Sequence, residues 1–238
     1  MLKPFLTANW RYLAMLNFAI DPKILQPLVP SETELDFHDG QTFVSVVGFL
    51  FLDTRVIGLP IPLHRDFEEV NLRFYVRRKS ANEWRRGVVF VRELVPRRAI
   101  ALIARIFYGE PYLALPMRHA LEHRDGRVFA EYQWRRGRRW ETLAMTASGE
   151  PQSAGNGSHE EFIIEHYWGY TARRDGCSEY RVEHPRWRLW TAETIKFDAD
   201  IATLYGPQFV DTLATPPVSG FIAEGSPIQV HKRNREPI

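Results

Sequence analysis

Cysteine is almost missing from this chain, which has Cys177 alone among 238 residues. A single thiol excludes an internal disulfide and is typical of proteins in a reducing cytoplasm. No apolar run approaches the ~20 residues of a membrane helix, and the first residues lack the continuous apolar segment of a secretory signal. We therefore expect a cytoplasmic protein without a membrane partner.

Lysine is also scarce, since arginine supplies all but five of the 31 positively charged Lys and Arg side chains. The arginines are scattered through expected turns, such as those around 77–79 and 135–139, and do not follow one helix face. Nucleic-acid binding requires basic residues gathered on one surface. No nucleic-acid partner is therefore expected.

The usual catalytic and cofactor motifs are missing too. The sequence has no glycine-rich phosphate loop, no Gly-x-Ser-x-Gly and no Cys-x-x-Cys. His119 and His123 are four residues apart, but in the strand predicted there they would lie about 13 Å apart, too far for one metal ion. The sequence predicts neither a metal site nor a cofactor.

What the chain does contain is a series of alternating segments separated by turn residues. Strand pairs are predicted at 34–37 with 41–52, 67–77 with 87–95, 115–122 with 127–135, and 127–135 with 139–148. Asp39-Gly40 and Asp125-Gly126 are typical hairpin turns. This pattern predicts mainly antiparallel strands that pair with their neighbours in the chain.

Short helices and a strand-rich tail complete the pattern. Helices are predicted after Asp21-Pro22, over 97–108 and after Ser158. The tail 217–232 predicts two strands around Glu224-Gly225-Ser226. Many strands with few helices indicate a mainly β fold, an antiparallel barrel or sandwich with short capping helices, in one domain over residues 1–238.

Charged residues inside two predicted strands point to a polar cavity. In 67–76 the polar positions alternate with apolar ones, so Glu69 and Arg73 share a face. The segment 87–95 is apolar on both faces except for an Arg-Glu pair. Because an unpaired buried ion costs several kcal/mol, either the sheet encloses a polar pocket or these residues form salt bridges at its rim. The candidate ligand-binding residues are Glu69, Asn71, Arg73, Arg92 and Glu93.

Several segments together resemble a known family. They are Trp10, Asp21-Pro22 with Leu25 and Pro30, 67–76, Arg92-Glu93 with the residues after it, Gly109-Glu110-Pro111-Tyr112, and 180–185 with Trp187. Over most of its length the chain resembles the YqjF-type family DUF2071, a domain of unknown function. That family is similar in fold to acetoacetate decarboxylase. The resemblance implies a closed antiparallel β-barrel or cone around an internal cavity.

The resemblance does not imply the chemistry of acetoacetate decarboxylase. In that enzyme an Arg-Glu pair is followed by Pro-Lys-Lys, and one lysine forms a Schiff base. Here the matching stretch reads Pro96-Arg97-Arg98. Arginine stays protonated and has no free amine to condense with a ketone. Schiff-base decarboxylation is therefore not expected.

Three functions remain open at this point. The leading expectation is binding of a small, partly apolar organic molecule that carries a carboxylate or carbonyl, inside the barrel. The first alternative is a lyase or hydrolase that uses Glu69 or Glu93 as general acid or base, because burial can tune a carboxyl group toward neutral pH. The second is a structural or partner-binding protein whose barrel is filled by its own side chains. The oligomeric state is not predicted.

Overall fold

The chain folds mainly into β-strands. A computed structural model describes residues 4–60, 64–80, 83–97, 109–173, 176–232 and 234–235. The strands are β1 (Leu6–Ile20), β2 (Glu34–Leu35), β3 (Thr42–Val56), β4 (Leu59–Pro60), β5 (Phe67–Lys79), β6 (Trp84–Val95), β7 (Tyr112–Ala114), β8 (Met117–Arg124), β9 (Arg127–Arg136), β10 (Arg139–Ser148), β11 (Gln152–Ser153), β12 (Trp168–Arg173), β13 (Gly176–Glu183), β14 (Arg188–Thr191), β15 (Thr194–Asp198), β16 (Ser219–Val230) and β17 (Asn234–Arg235).

The described helices are short. They are α1 (Pro22–Leu25), α2 (His159–Ile164), α3 (Ile201–Leu204) and α4 (Val210–Ala214), with 3-10 turns at Gln26–Leu28 and Pro207–Phe209. The side chains of Asp21 and Ser158 cap α1 and α2, as their positions in the sequence predicted. No helix in the described part of the chain has the length and apolar character needed to cross a membrane.

The larger sheet closes into a ring. Strands β16, β1, β3, β5, β6, β12 and β13 pair in that order, and β13 pairs back with β16 through Val182 and Val230. The expected closed sheet is therefore confirmed. Two of the described pairs differ from the expected antiparallel arrangement, because β12 runs parallel to β6 at Gly87 and Trp168, and β7 also runs parallel to β6. The chain leaves the ring after β6 and returns in the same direction.

A second sheet covers part of the ring from outside. Strands β15, β10, β9 and β8 form this four-stranded sheet. Its buried side chains, such as Tyr132 and Met145, pack with Val70, Leu72 and Phe74 on the outer face of β5. Because successive side chains of a strand point to opposite faces, the polar positions of β5 are left facing the interior of the ring.

The interior of the ring is closed on one side by α2. The buried side chains of this helix, Phe162, Ile163 and Ile164, belong to the apolar cluster inside the ring. Phe162 packs against Tyr75 of β5, with ring centroids 5.3 Å apart. The sandwich of sheets and the ring interior thus form two separate cores on opposite faces of the same strands.

Most of the predicted pairs are present, and two predictions are wrong. The hairpins β5–β6, β8–β9 and β9–β10 form as expected. However, β2 pairs with β5 and not with β3. The tail forms the single strand β16, which pairs with β1 in one register on both sides of Gly225. Gly225 has φ of 77°, and a Cβ there would lie 2.1 Å from the carbonyl oxygen of Trp10. The helix predicted over 97–108 lies outside the described residues except for Arg97.

Candidate ligand-binding cavity

The interior of the ring contains a cavity of about 170 Å³. Its walls are mostly apolar and rich in aromatic rings, among them Trp10, Phe49, Phe51, Phe67, Phe90 and Trp187. Trp10 packs edge-on against Phe49 and Phe51, with centroids 5.2 and 5.6 Å away. An engineered cavity of ~150 Å³ holds benzene, so this space suits a small organic molecule.

Three buried glutamates form a carboxyl cluster in one wall of the cavity: Glu69 on β5, Glu93 on β6 and Glu110 just before β7. Their exposed fractions are 2%, 1% and 5%. Asn71 and Tyr112 donate hydrogen bonds to the two carboxyl oxygens of Glu69, at 3.0 and 3.1 Å. The hydroxyl of Tyr180 donates to Glu110. Among the described residues, Oε2 of Glu93 has no hydrogen-bond partner.

A β-bulge directs Glu93 into the cavity. Pairing of β6 with β5 slips by one residue, because Leu72 faces Arg92 whereas Arg73 faces Phe90. Val91 is the extra residue, and it reverses the faces of the strand beyond it. Val88 and Phe90 line the cavity before the bulge, and Glu93 lines it after the bulge.

Burial raises the pKa values of all three glutamates of the carboxyl cluster to neutral pH or above. Desolvation raises the pKa of Glu69 to about 7, against the opposing effects of its two hydrogen bonds and the charge of Arg73. Desolvation likewise raises the pKa of Glu110 to about 8, although the bond from Tyr180 lowers it. The pKa of Glu93 lies well above its usual range, because burial and the charges of Glu110 and Glu69 all disfavour its ionised form. The cluster can therefore donate as well as accept protons.

Of the two arginines expected in the site, only Arg73 is in the cavity wall. One terminal nitrogen of its guanidinium lies 3.4 Å from the carbonyl oxygen of Ile163, and Nε has no partner among the described residues. Arg92 departs from the expectation. Its Nε donates to the carbonyl of Leu204 at 3.2 Å, outside the ring, because the bulge at Val91 turns it to the outer face.

A histidine completes the polar lining. His166 follows α2 and lines the cavity, and Nε2 lies 3.2 Å from a carboxyl oxygen of the buried Asp36. Nε of Arg86 donates to the same oxygen at 2.6 Å. Burial lowers the pKa of His166 to about 4, even though Asp36 favours the protonated form. His166 is therefore neutral at physiological pH.

The structure thus unites four of the five candidate residues, Glu69, Asn71, Arg73 and Glu93, in one wall. Sequence reasoning missed Glu110, Tyr112, Tyr180 and His166. Three of these lie in segments that carried the family resemblance, which was the available signal. For His166 the sequence offered no such signal, since this residue follows a short helix and belongs to none of the segments that carried the resemblance.

The positions of the lysines and of possible metal ligands show which reactions the cavity could support. The four lysines that the structure describes are exposed, and none lines the cavity. In the described ranges, no group of three or more His, Cys, Asp or Glu side chains is placed to hold a metal ion.

The architecture defines the class of protein. Over its whole length the chain matches an acetoacetate decarboxylase-like enzyme from Sphingomonas wittichii RW1, covering 95% of that chain with a TM-score of 0.65 and 16% identity. It also matches acetoacetate decarboxylase from Legionella pneumophila (TM-score 0.66, 14% identity, 98% of this chain and 88% of that one). The enduracididine biosynthesis enzyme MppR, complexed with pyruvate, has a TM-score of 0.66 at 12% identity over 98% of this chain and 91% of its own. At these identities the matches show a shared fold.

Within that class the sequence identifies the family. Residues 7–227 match the model of DUF2071, described as an uncharacterized conserved protein, and the chain belongs to this family. The uncharacterized protein YqjF of Bacillus subtilis is 29% identical over 188 residues, which are 78% of this chain and 75% of that protein.

Proposed function

We propose that this protein binds a small, partly apolar organic acid or carbonyl compound in the cavity of the ring. The observation that carries the proposal is the combination, in one cavity, of an aromatic lining with the carboxyl cluster and with Nε of Arg73, which has no partner among the described residues. The apolar walls favour hydrocarbon, whereas the polar wall offers fixed hydrogen-bonding positions. A filled structural barrel is disfavoured, because the side chains of the described residues leave about 170 Å³ empty.

The chemistry of the polar wall specifies the ligand further. Arg73 offers donors to a carboxylate, and a protonated glutamate of the carboxyl cluster offers a donor to a carbonyl oxygen. The pyruvate bound by MppR combines these two groups. The cavity has room for a short hydrocarbon branch in addition. We expect a ligand of roughly six to ten heavy atoms.

A matched set of variants tests this proposal with 3-methyl-2-oxobutanoate as the probe. Trp10, Trp168 and Trp187 line the cavity, so tryptophan fluorescence should change when the probe binds. The variant Arg73→Gln should weaken binding by at least about tenfold, since charged hydrogen bonds contribute ~1.5–3 kcal/mol. Arg188→Gln is the control, because Arg188 is exposed and pairs with Glu224. Absence of binding, or equal binding by both variants, would reject the proposal.

A second function, general acid–base catalysis, is favoured by Oε2 of Glu93, which has no hydrogen-bond partner within the described ranges. Glu69 as carboxylate would take the C3 proton of a 2-oxo acid, while protonated Glu93 passes its proton to the keto oxygen, which forms the enol. Reversal in D₂O places deuterium at C3. The variant Glu93→Gln keeps a hydrogen-bond donor but has no acidic proton, so exchange followed by proton NMR should slow by about 100-fold or more. No exchange above the rate in buffer would eliminate this function.

A further inference from the structure

His166, which lines the cavity, is held in a defined orientation. Its side chain is 1% exposed, and its ring lies 4.7 Å from that of Tyr75 and 5.1 Å from that of Phe162. Nε2 contacts Asp36, which also receives the hydrogen bond from Arg86. Nδ1 is buried and has no hydrogen-bond partner in the described part of the chain. A buried polar atom without a partner is costly, and His166 lines the cavity, so a ligand hydroxyl that reaches Nδ1 would remove this cost.

The contact with Asp36 determines which nitrogen carries the proton. Burial opposes ionisation of Asp36, but the hydrogen bonds from His166 and Arg86 prevail and lower its pKa. An ionised carboxylate only accepts hydrogen bonds. Nε2 of the neutral imidazole must therefore be the donor, and Nδ1 keeps its lone pair as an acceptor.

Arg73 places a hydrogen-bond donor near the acceptor Nδ1 of His166. The guanidinium lies 5.7 Å from the centroid of the Tyr75 ring, against which His166 also packs. Nε of Arg73 is a buried donor without a partner among the described residues. A ligand that satisfies both groups must accept a hydrogen bond with one atom and donate one with another.

The ring that both groups contact is itself fixed. The hydroxyl of Ser45 donates to Oδ1 of Asn17 at 2.6 Å. A hydroxyl has one proton, so Tyr75, whose hydroxyl lies 2.6 Å from the same oxygen, must donate to Ser45. Asn17 in turn donates to Ser219 at 2.8 Å. This buried network holds Tyr75, whose ring both Arg73 and His166 contact, in place.

The structure assigns to His166 a role in specificity: Nδ1 accepts a hydrogen bond from a hydroxyl of the ligand, next to the carboxylate that Arg73 binds, and Asp36 is the positioning residue for the imidazole. The ligand class is a 2-hydroxy acid with a small apolar side chain. The inference rests on the proposed function and names the ligand class for the same cavity. A 2-oxo acid would present an oxygen lone pair to Nδ1, where two acceptors repel.

The test compares two probes that differ at one position, 2-hydroxy-3-methylbutanoate and 3-methyl-2-oxobutanoate. The wild-type protein should bind the hydroxy acid about tenfold more tightly, which is the usual net effect of one buried hydrogen bond. His166→Phe should abolish this preference, because it removes the acceptor of the hydroxyl proton and with it the repulsion of the oxo acid. The control Arg188→Gln should retain the preference.

A measurement on the wild-type protein keeps the inference testable if His166→Phe does not fold. Nitrogen-15 NMR of labelled histidine should show Nδ1 of His166 unprotonated and Nε2 protonated at neutral pH, with the Nδ1 resonance shifting when the hydroxy acid is added. Equal binding of both probes, or a protonated Nδ1, would overturn the inference while the proposed function stands. Failure of both probes to bind would overturn both.

Discussion

Glu93 on β6 lies directly opposite Asn71 on β5, and it reaches the cavity because the bulge at Val91 shifts the pairing by one residue. On the other side of β6, Glu93 is paired in register with Tyr112 of β7. A one-residue shift exchanges the two faces of a strand. Without it, Arg92 would occupy the wall next to Arg73, and the carboxyl cluster would lose its central member.

The buried carboxyl groups predict how stability depends on pH. In the unfolded chain glutamate has a pKa near 4.3, whereas Glu69 and Glu110 in the fold have values of about 7 and 8. The folded state therefore binds more protons above pH ~5, and the stability contributed by these groups is lost as pH rises through the folded pKa values. The slope is at most about 1.4 kcal/mol per pH unit for each proton.

Above about pH 7, the effect of the carboxyl groups on stability can be measured with little contribution from the buried histidines His166 and His184. The pKa values of His166 and His184 are lowered to about 4 by burial, so these histidines are mostly neutral in both states there. Denaturant unfolding between about pH 7 and 8.5 should show the free energy of unfolding falling with pH. Glu93→Gln removes one retained proton and should make the fall shallower. A steeper fall in the variant would contradict the assignment of Glu93 as protonated.

Arg73 and Arg92 form a matched pair for testing the electrostatics of the wall. The charge of Arg73 lowers the pKa of Glu69, whereas Arg92 lies outside the ring and has no such effect. Arg73→Met should raise the pKa of Glu69 above its value of about 7, and Arg92→Met should leave it unchanged. Carbon-13 NMR titration of labelled glutamate carboxyl groups measures both. Equal shifts in the two variants would show that Arg73 does not face Glu69.

Sequence alternation predicted one wall of the site well. Glu69, Asn71 and Arg73 occur at every second position of β5, and a period of two determines their common face. Alternation could not decide between Arg92 and Glu93, because adjacent residues face opposite sides and the bulge at Val91 is set by pairing with β5.

The other polar groups come from distant parts of the chain. Glu110 and Tyr180 are brought together only when β7 aligns with β6 and β13 closes the ring. Their contact depends on tertiary pairing over 70 residues. The same holds for His166 and Asp36, which are 130 residues apart. No local periodicity encodes such contacts, so the sequence predicted a polar cavity without its complete lining.

Gly169 makes the close approach of β12 and β13 possible. It faces Tyr180 across the pair, and a Cβ there would lie 2.2 Å from the tyrosine ring. Gly169→Ala should therefore push Tyr180 away from Glu110. We expect a loss of about 1–3 kcal/mol in unfolding free energy and a higher pKa of Glu110, because the bond from Tyr180 lowers it.

Gly155→Ala is the matched control for this substitution. A Cβ at Gly155 would meet only Ser158 at 3.8 Å, so stability and the pKa of Glu110 should stay close to wild type. The two variants are compared by thermal unfolding and by carbon-13 titration. If Gly169→Ala is destabilised but the pKa of Glu110 is unchanged, Tyr180 has kept its hydrogen bond to Glu110 by moving with the backbone.

The last prediction is that the protein forms no Schiff base with β-keto acids. A Schiff base requires an unprotonated lysine amine within reach of the bound ketone, and burial or a neighbouring positive charge lowers a lysine pKa. Lys23, Lys79, Lys196 and Lys232 are exposed, and Lys3 lies outside the described residues. Arg97, at the position where the resemblance to acetoacetate decarboxylase implies a lysine, is exposed as well and cannot condense with a ketone.

Incubation with acetoacetate and borohydride, followed by mass spectrometry, should therefore leave the mass of the protein unchanged. Lys196 is the lysine to watch, because Ile195 and Phe197 flank it in β15. That strand belongs to the four-stranded sheet outside the ring, where Lys196 pairs in register with Ala144. A stoichiometric adduct that disappears in Lys196→Arg would contradict the prediction, and it would place the reactive amine in the outer sheet.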